Sequence, residues 1–210
     1  MDEAVRHALT VLWAAYRHEQ PPALPPVPEP RAIPDVSDYA GVYRDGNRIL
    51  QPTAQDGQLL LHTDDGMAPL ERRGQDQFYV GHPEFDLFLL EFQRDRGEVV
   101  EALHGSHWYI SDRYTGPQSF DYPETWEMYT GHYRTRNPEL SSFRVVLRKG
   151  TLALIIPSGE VELLHPLDDG VFRIGEDDRS PETLRFDAAV QGRALWADYS
   201  GCPYYRTFTG

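Results

Sequence analysis

At 210 residues, with a net charge of −13 and a pI near 4.9, the chain has room for one large domain or two small ones. An acidic balance of that size repels phosphate backbones and anionic lipid, which excludes nucleic acid and membrane surfaces as expected partners. The single cysteine, Cys202, permits no disulfide within the chain and favours a reducing, cytoplasmic location.

The opening "MDEAVRH" is acidic where a secretory signal would be basic, and no apolar run approaches the ~20 residues that span a bilayer. Residues 2–18 read as an amphipathic helix, with Val5, Ala8, Leu9, Leu12, Trp13 and Tyr16 at the spacing of one apolar stripe. The following "PPALPPVPEPRAIP" (21–34) is too rich in proline for helix or central strand and predicts an extended linker.

After Asp35 the texture becomes that of an all-β protein: short apolar and aromatic runs separated by turn signals. "SFRVVLRKGTLALIIP" (142–157) is the cleanest hairpin, turning at Lys149-Gly150. A repeat organises the rest. Tyr39, Gly41, Tyr43 and Arg44 match Tyr129, Gly131, Tyr133 and Arg134, and "GQLLLH" (57–62) matches "GTLALI" (150–155). Phe78 and Phe92 match Phe172 and Phe186, and "GSHWYISDRYTG" (105–116) matches "GCPYYRTFTG" (201–210), with Trp108-Tyr109 over Tyr204-Tyr205. Ordered matches of this kind mark two copies of one folding unit.

The expected architecture is therefore all-β: two tandem, small, eight-stranded antiparallel up-and-down barrels of lipocalin-like type, preceded by one helix and a proline-rich linker. The expected boundaries are 1–37 for helix and linker, 38–116 for the first barrel, 117–128 for a bridge and 129–210 for the second barrel. "YAGVYR" and "YTGHYR" are expected as the first strands. Phe120, Tyr122 and Trp126 of the bridge are expected to pack between the barrels.

Chemistry is sparse. Three residues before the only lysine, Lys149, stands Val146, so no Ser-x-x-Lys pair exists, and there is no Gly-x-Ser-x-Gly elbow. In "HGSH" (104–107) the histidines stand three apart, which on one strand puts them on opposite faces and disfavours a shared ion unless Gly105 bulges. Cys202 aligns with Ser106 as a small filler, and no glycine cluster opens a helix to cradle phosphate. The expectation is no catalytic residue, no metal and no cofactor. His104, His107, Trp108, Tyr109, Tyr204 and Tyr205 are the candidate ligand-lining residues, weighed against a barrel interior that side chains fill.

The segments "SDYAGVYR", "PLERRGQDQFYVGHPEFDLFLLEF", "VVEALHGSHWYISDRYTGP", "FRVVLRKGTLALI" and "GCPYYRTFT" together resemble the C-terminal region of β-lactamase-family serine hydrolases, the penicillin-binding-protein-like and D-aminopeptidase-like enzymes. The resemblance implies one or two lipocalin-like barrels following a Ser-x-x-Lys catalytic domain, with the helix at 2–18 as that domain's tail. It carries over no catalytic residue. The implied role is an accessory region that restricts substrate access or holds an assembly together, with the serine hydrolase domain as partner. The alternatives are a lipocalin-like binder of a small apolar ligand and an interaction module that forms a homo-oligomer.

Overall fold

The structure, a computed structural model, describes residues 3–20, 22 and 32–208. Most of the expected proline-rich linker, the Val5 side chain and the last two residues of the repeat lie outside the described residues. Helix α1 (Glu3–Tyr16) carries the expected stripe, yet Leu9, Leu12, Trp13 and Tyr16 are all exposed, while Ala14 is buried.

The rest is two antiparallel barrel-like sheets in tandem. The first holds β1 (Tyr43–Asp45), β2 (Arg48–Leu50), β3 (Pro52–Gln55), β4 (Gln58–Thr63), β5 (Gly66–Gly74), β6 (Gln77–Val80), β7 (Leu90–Asp95), β8 (Glu98–His104) and β9 (His107–Ser111). The second holds β10 (Gly131–Arg134), β11 (Ser142–Arg148), β12 (Thr151–Ile155), β13 (Val161–Asp168), β14 (Val171–Ile174), β15 (Thr183–Val190), β16 (Arg193–Tyr199) and β17 (Cys202–Thr207).

The second sheet is a closed barrel, each strand beside the next and β17 paired back to β10. The first is nearly closed. Its order runs β2-β1-β9-β8-β7-β6-β5-β4-β3, so its two ends, β2 and β3, are consecutive in the chain with only Gln51 between them. Nine strands stand where eight were expected because Pro52, which lacks an N–H, divides one long strand at a corner. Its first half pairs with β1 and its second with β4, and the Pro52 carbonyl accepts from Gly41 N–H at 3.0 Å across the corner.

"YAGVYR" and "YTGHYR" are not wholly strand. Tyr39 ends a short helix, α2 (Val36–Tyr39), and Tyr129 ends a 3-10 turn (Glu124–Tyr129); the strands begin at Tyr43 and Gly131. The alternation of Tyr, Gly and Tyr imitates a strand, but "PDVSDY" and "PETWEMY" each place Pro and an acidic residue at a helix start. Both leading tyrosines then plunge into a barrel. Tyr39, Tyr43, Phe78 and Phe92 form one aromatic cluster, with Tyr39–Phe92 at 5.1 Å, Tyr43–Phe92 at 5.6 Å and Phe78–Phe92 at 5.7 Å. Tyr129, Tyr133, Phe172 and Phe186 repeat it, with the corresponding distances 4.6, 5.6 and 5.9 Å. The repeat is thus the conservation of one aromatic core in two copies within this chain.

Strand register corrects the match at the closing strand. Tyr43 faces Ser111, and Tyr133 faces Arg206, so Tyr109 corresponds to Tyr204 and Trp108 to Pro203. The letter match was one residue out, and one residue turns a side chain to the other face.

The barrels pack side by side. Val146, Ala153 and Ile155, on the outer face of the second, bury themselves with Phe88 of the first. Lys149, at the tip of the β11–β12 hairpin, donates to Glu101 Oε2 at 2.8 Å and Gln93 Oε1 at 3.3 Å, with Nζ 5.7 Å from the centre of the Trp108 ring. Arg148 pairs with Glu91 at 3.4 Å. Of the bridge aromatics, Phe120 packs on Trp108 at 5.4 Å, Trp126 packs on Phe172 of the second core at 5.7 Å, and Tyr122 lies on the surface.

Candidate functional site

The β8–β9 hairpin decides where the predicted histidines go. Its turn is only Gly105-Ser106, so His104 and His107 are direct cross-strand partners and share a face, contrary to the single-strand expectation. Gly105 is required there. Its φ is +59°, and a Cβ would stand 2.6 Å from the Phe88 ring. His104 is buried against Phe85 and Phe88, with Nε2 3.4 Å from the Phe85 carbonyl oxygen. Burial pushes its pKa down, aided by the neighbouring His107 and opposed by the carbonyls of Phe85 and Phe88. His107 Nδ1 lies 3.1 Å from Asp45 Oδ2. Together with Arg48, Glu84 and Tyr109 the two histidines line a hollow of about 210 Å³ at the mouth of the first barrel. Among the described residues, no group of three His, Cys, Asp or Glu side chains is placed to hold a metal ion.

The remaining predicted residues separate by strand parity. Tyr109 turns into the first core, and Tyr204 into the second, where its hydroxyl donates to the Leu140 carbonyl at 2.8 Å. Trp108 faces outward toward the second barrel and donates through Nε1 to Glu101 Oε2. Tyr205 is 62% exposed. The six residues therefore do not converge: His104, His107 and Tyr109 share one hollow, while Trp108, Tyr204 and Tyr205 stand in three other environments.

Phe88, absent from the sequence candidates, links that hollow to a larger cleft between the barrels. The cleft encloses about 740 Å³ and is lined by Phe88 and Ser106 of the first barrel and by His132, Arg144, Val146, Arg193, Arg206 and Glu127 on the other side. The Arg144 guanidinium lies 5.7 Å from the centre of the Phe88 ring. His132 stands directly opposite Arg144 across β10–β11. Burial lowers the His132 pKa, and Arg144 and Arg134 lower it further.

A second concentration of charge closes the far end of the first barrel. Tyr39 Oη lies 2.6 Å from Asp76 and 3.0 Å from Asp35, and Arg72 and Arg94 each donate to it at 3.1 Å. Arg94 also bonds Asp38 at 2.8 Å, and Arg72 pairs with Asp35. Burial, reinforced by Asp76, pushes the Tyr39 pKa up to about 12, so the phenol stays protonated at neutral pH. These ion pairs fasten α2 to β5 and β7, although the buried Arg72 Nε has no hydrogen-bond partner.

In the second barrel a single arginine does the equivalent work. Arg206 donates to the carbonyls of Ala194 (2.6 Å), Met128 (2.8 Å) and Thr130 (2.6 Å) and to the Tyr133 hydroxyl (3.1 Å). Gly131 makes room for it, since a Cβ there would lie 2.5 Å from the guanidinium. No protein-family model matches the chain, and no curated protein matches it.

Proposed function

We propose that the chain is a non-catalytic, two-barrel accessory region that works beside a serine hydrolase domain of the β-lactamase type, restricting access to that domain's cleft or holding it in an assembly. The sequence resemblance supplies the enzyme class. The observation that carries the accessory role is the occupancy of the barrels. Tyr39, Tyr43 and Phe78 in one, and Tyr133, Phe172 and Tyr204 in the other, are all essentially inaccessible and fill the space where a lipocalin-like carrier would hold an apolar ligand. The exposed face of Leu9, Leu12, Trp13 and Tyr16 on α1 agrees with this reading, because the resemblance makes that helix the tail of the catalytic domain.

Two measurements test it. The purified chain should hydrolyse neither a chromogenic β-lactam nor a chromogenic ester; turnover that survives repurification overturns the reading. The immobilised chain should retain a fluorophosphonate-reactive hydrolase from its source cells, and the pair Leu12→Asp and Trp13→Asp should release it with the barrels' circular dichroism unchanged. Equal retention by wild type and variant counts against docking through α1.

A further inference from the structure

The inter-barrel cleft reverses the charge of the molecule around it. The chain carries −13, yet Arg144, Arg193, Arg206 and His132 line this one space against the single acid Glu127. The arginines differ in how they are engaged. Arg206 is spent on three carbonyls and a phenol. Arg144 is not. Elsewhere Arg72, Arg94, Arg148 and Arg173 each hold a carboxylate partner, whereas among the described residues none pairs with Arg144.

The surroundings of Arg144 sharpen the contrast. Its guanidinium is half-buried and lies over the Phe88 ring, and burial alone pushes its pKa down, with no acid pulling it back. His132 faces it across the strand pair, an arrangement that costs stability whenever both are charged. An arginine-lined wall whose one acid, Glu127, accepts from Tyr122 instead fits an anion from outside. Apolar surface comes from both sides, Phe88 from the first barrel and Val146 two residues along β11 from Arg144, and about 740 Å³ is within the range of small-molecule sites.

We propose that the cleft between the barrels binds a small organic carboxylate with an apolar body, its carboxylate on Arg144 and Arg193 and its body against Phe88 and Val146. A guanidinium fork matches the planar carboxylate two-to-two. The chain's only lysine, the point charge better suited to a phosphate group, is already held by Glu101. The site lies outside the filled barrels and is independent of any docking through α1.

The test is calorimetric titration of the full chain with phenylacetate and hexanoate, with the uncharged phenylacetamide and hexanamide, and with inorganic phosphate. The carboxylates are expected to bind at one site, and the amides at least about tenfold more weakly. Arg144→Gln is expected to weaken phenylacetate about tenfold or more, and Arg193→Gln, on an exposed residue, to weaken it by a smaller factor with the fold unchanged by circular dichroism. Phe88→Leu should weaken phenylacetate more than hexanoate. The proposal is overturned if amide and carboxylate bind alike, if phosphate alone binds, if no carboxylate binds at millimolar concentration, or if Arg144→Gln and Arg193→Gln both bind as wild type does.

Discussion

The Tyr133 hydroxyl donates to the carbonyl oxygen of Tyr129 at 2.8 Å, and Tyr43 makes the same bond to Tyr39 at 3.1 Å. In each copy the bond ties the first strand to the helical turn that plugs the barrel. Tyr133→Phe is expected to cost about 1–2 kcal/mol, because it strands a buried carbonyl and also removes an acceptor from Arg206. The urea midpoint of the variant measures this, and an unshifted midpoint would remove the bond from any account of stability.

The same buried phenols set an alkaline limit. Burial pushes Tyr43 and Tyr133 from 10.0 up to about 12, against the opposing pull of Arg113 and Arg206 respectively. A neutral group whose folded pKa is raised stabilises fully below the unfolded value. Stability is therefore present below pH 10 and is lost between about 10 and about 12, at roughly 1.4 kcal/mol per pH unit for each phenol. Tyrosinate absorbance for these two should rise together with unfolding seen by circular dichroism. Complete ionisation of the tyrosines near pH 10 in a still-folded chain would contradict it.

Lys149 and Glu101 hold the barrels to each other through a charge that is nearly buried on the acid's side. Lys149→Met is expected to destabilise by about 1–3 kcal/mol, since it leaves the Glu101 carboxylate with a diminished set of partners. Adding Glu101→Gln should restore part of that loss, because the uncompensated charge goes with it. A double-mutant cycle on urea midpoints decides the point: simple additivity would mean that the pair is not coupled.

His104 acts at the acid end. With its folded pKa depressed below the ordinary 6.5, the unfolded chain takes up the proton first. Stability then falls as pH drops below about 6.5 toward the depressed folded value. His104→Gln should flatten the dependence of the urea midpoint on pH below about 6.5. An unaltered slope would assign that dependence to other groups.

What could be read from the residues alone was whatever is local or periodic. The Lys149-Gly150 turn was legible because both residues take positive φ, the signature of a tight hairpin. The correspondence of Phe78 and Phe92 to Phe172 and Phe186 was legible as a repeat, while their contact with each other was not. The α2 turn is hidden in the sequence because two tyrosines spaced as on a strand outweigh the proline and acidic residues before them. The last strand slipped by one place because Trp108-Tyr109 and Tyr204-Tyr205 look alike as letters, whereas only the ladder to β1 and β10 reveals which ring points inward. Phe88 and Arg144 stand far apart in the chain, and no spacing rule brings them together. Their contact depends on how one finished barrel lies against the other.

In both barrels the first and last strands are neighbours, β1 beside β9 and β10 beside β17. A unit whose two ends meet can be copied head to tail in a gene without rethreading either copy, because only a short tether is needed to start the next. Divergence could then proceed separately in each copy, and the outcome is visible in how the plugs are fastened. One half uses a network of aspartates and arginines around Tyr39, and the other a lone arginine reaching under Gly131.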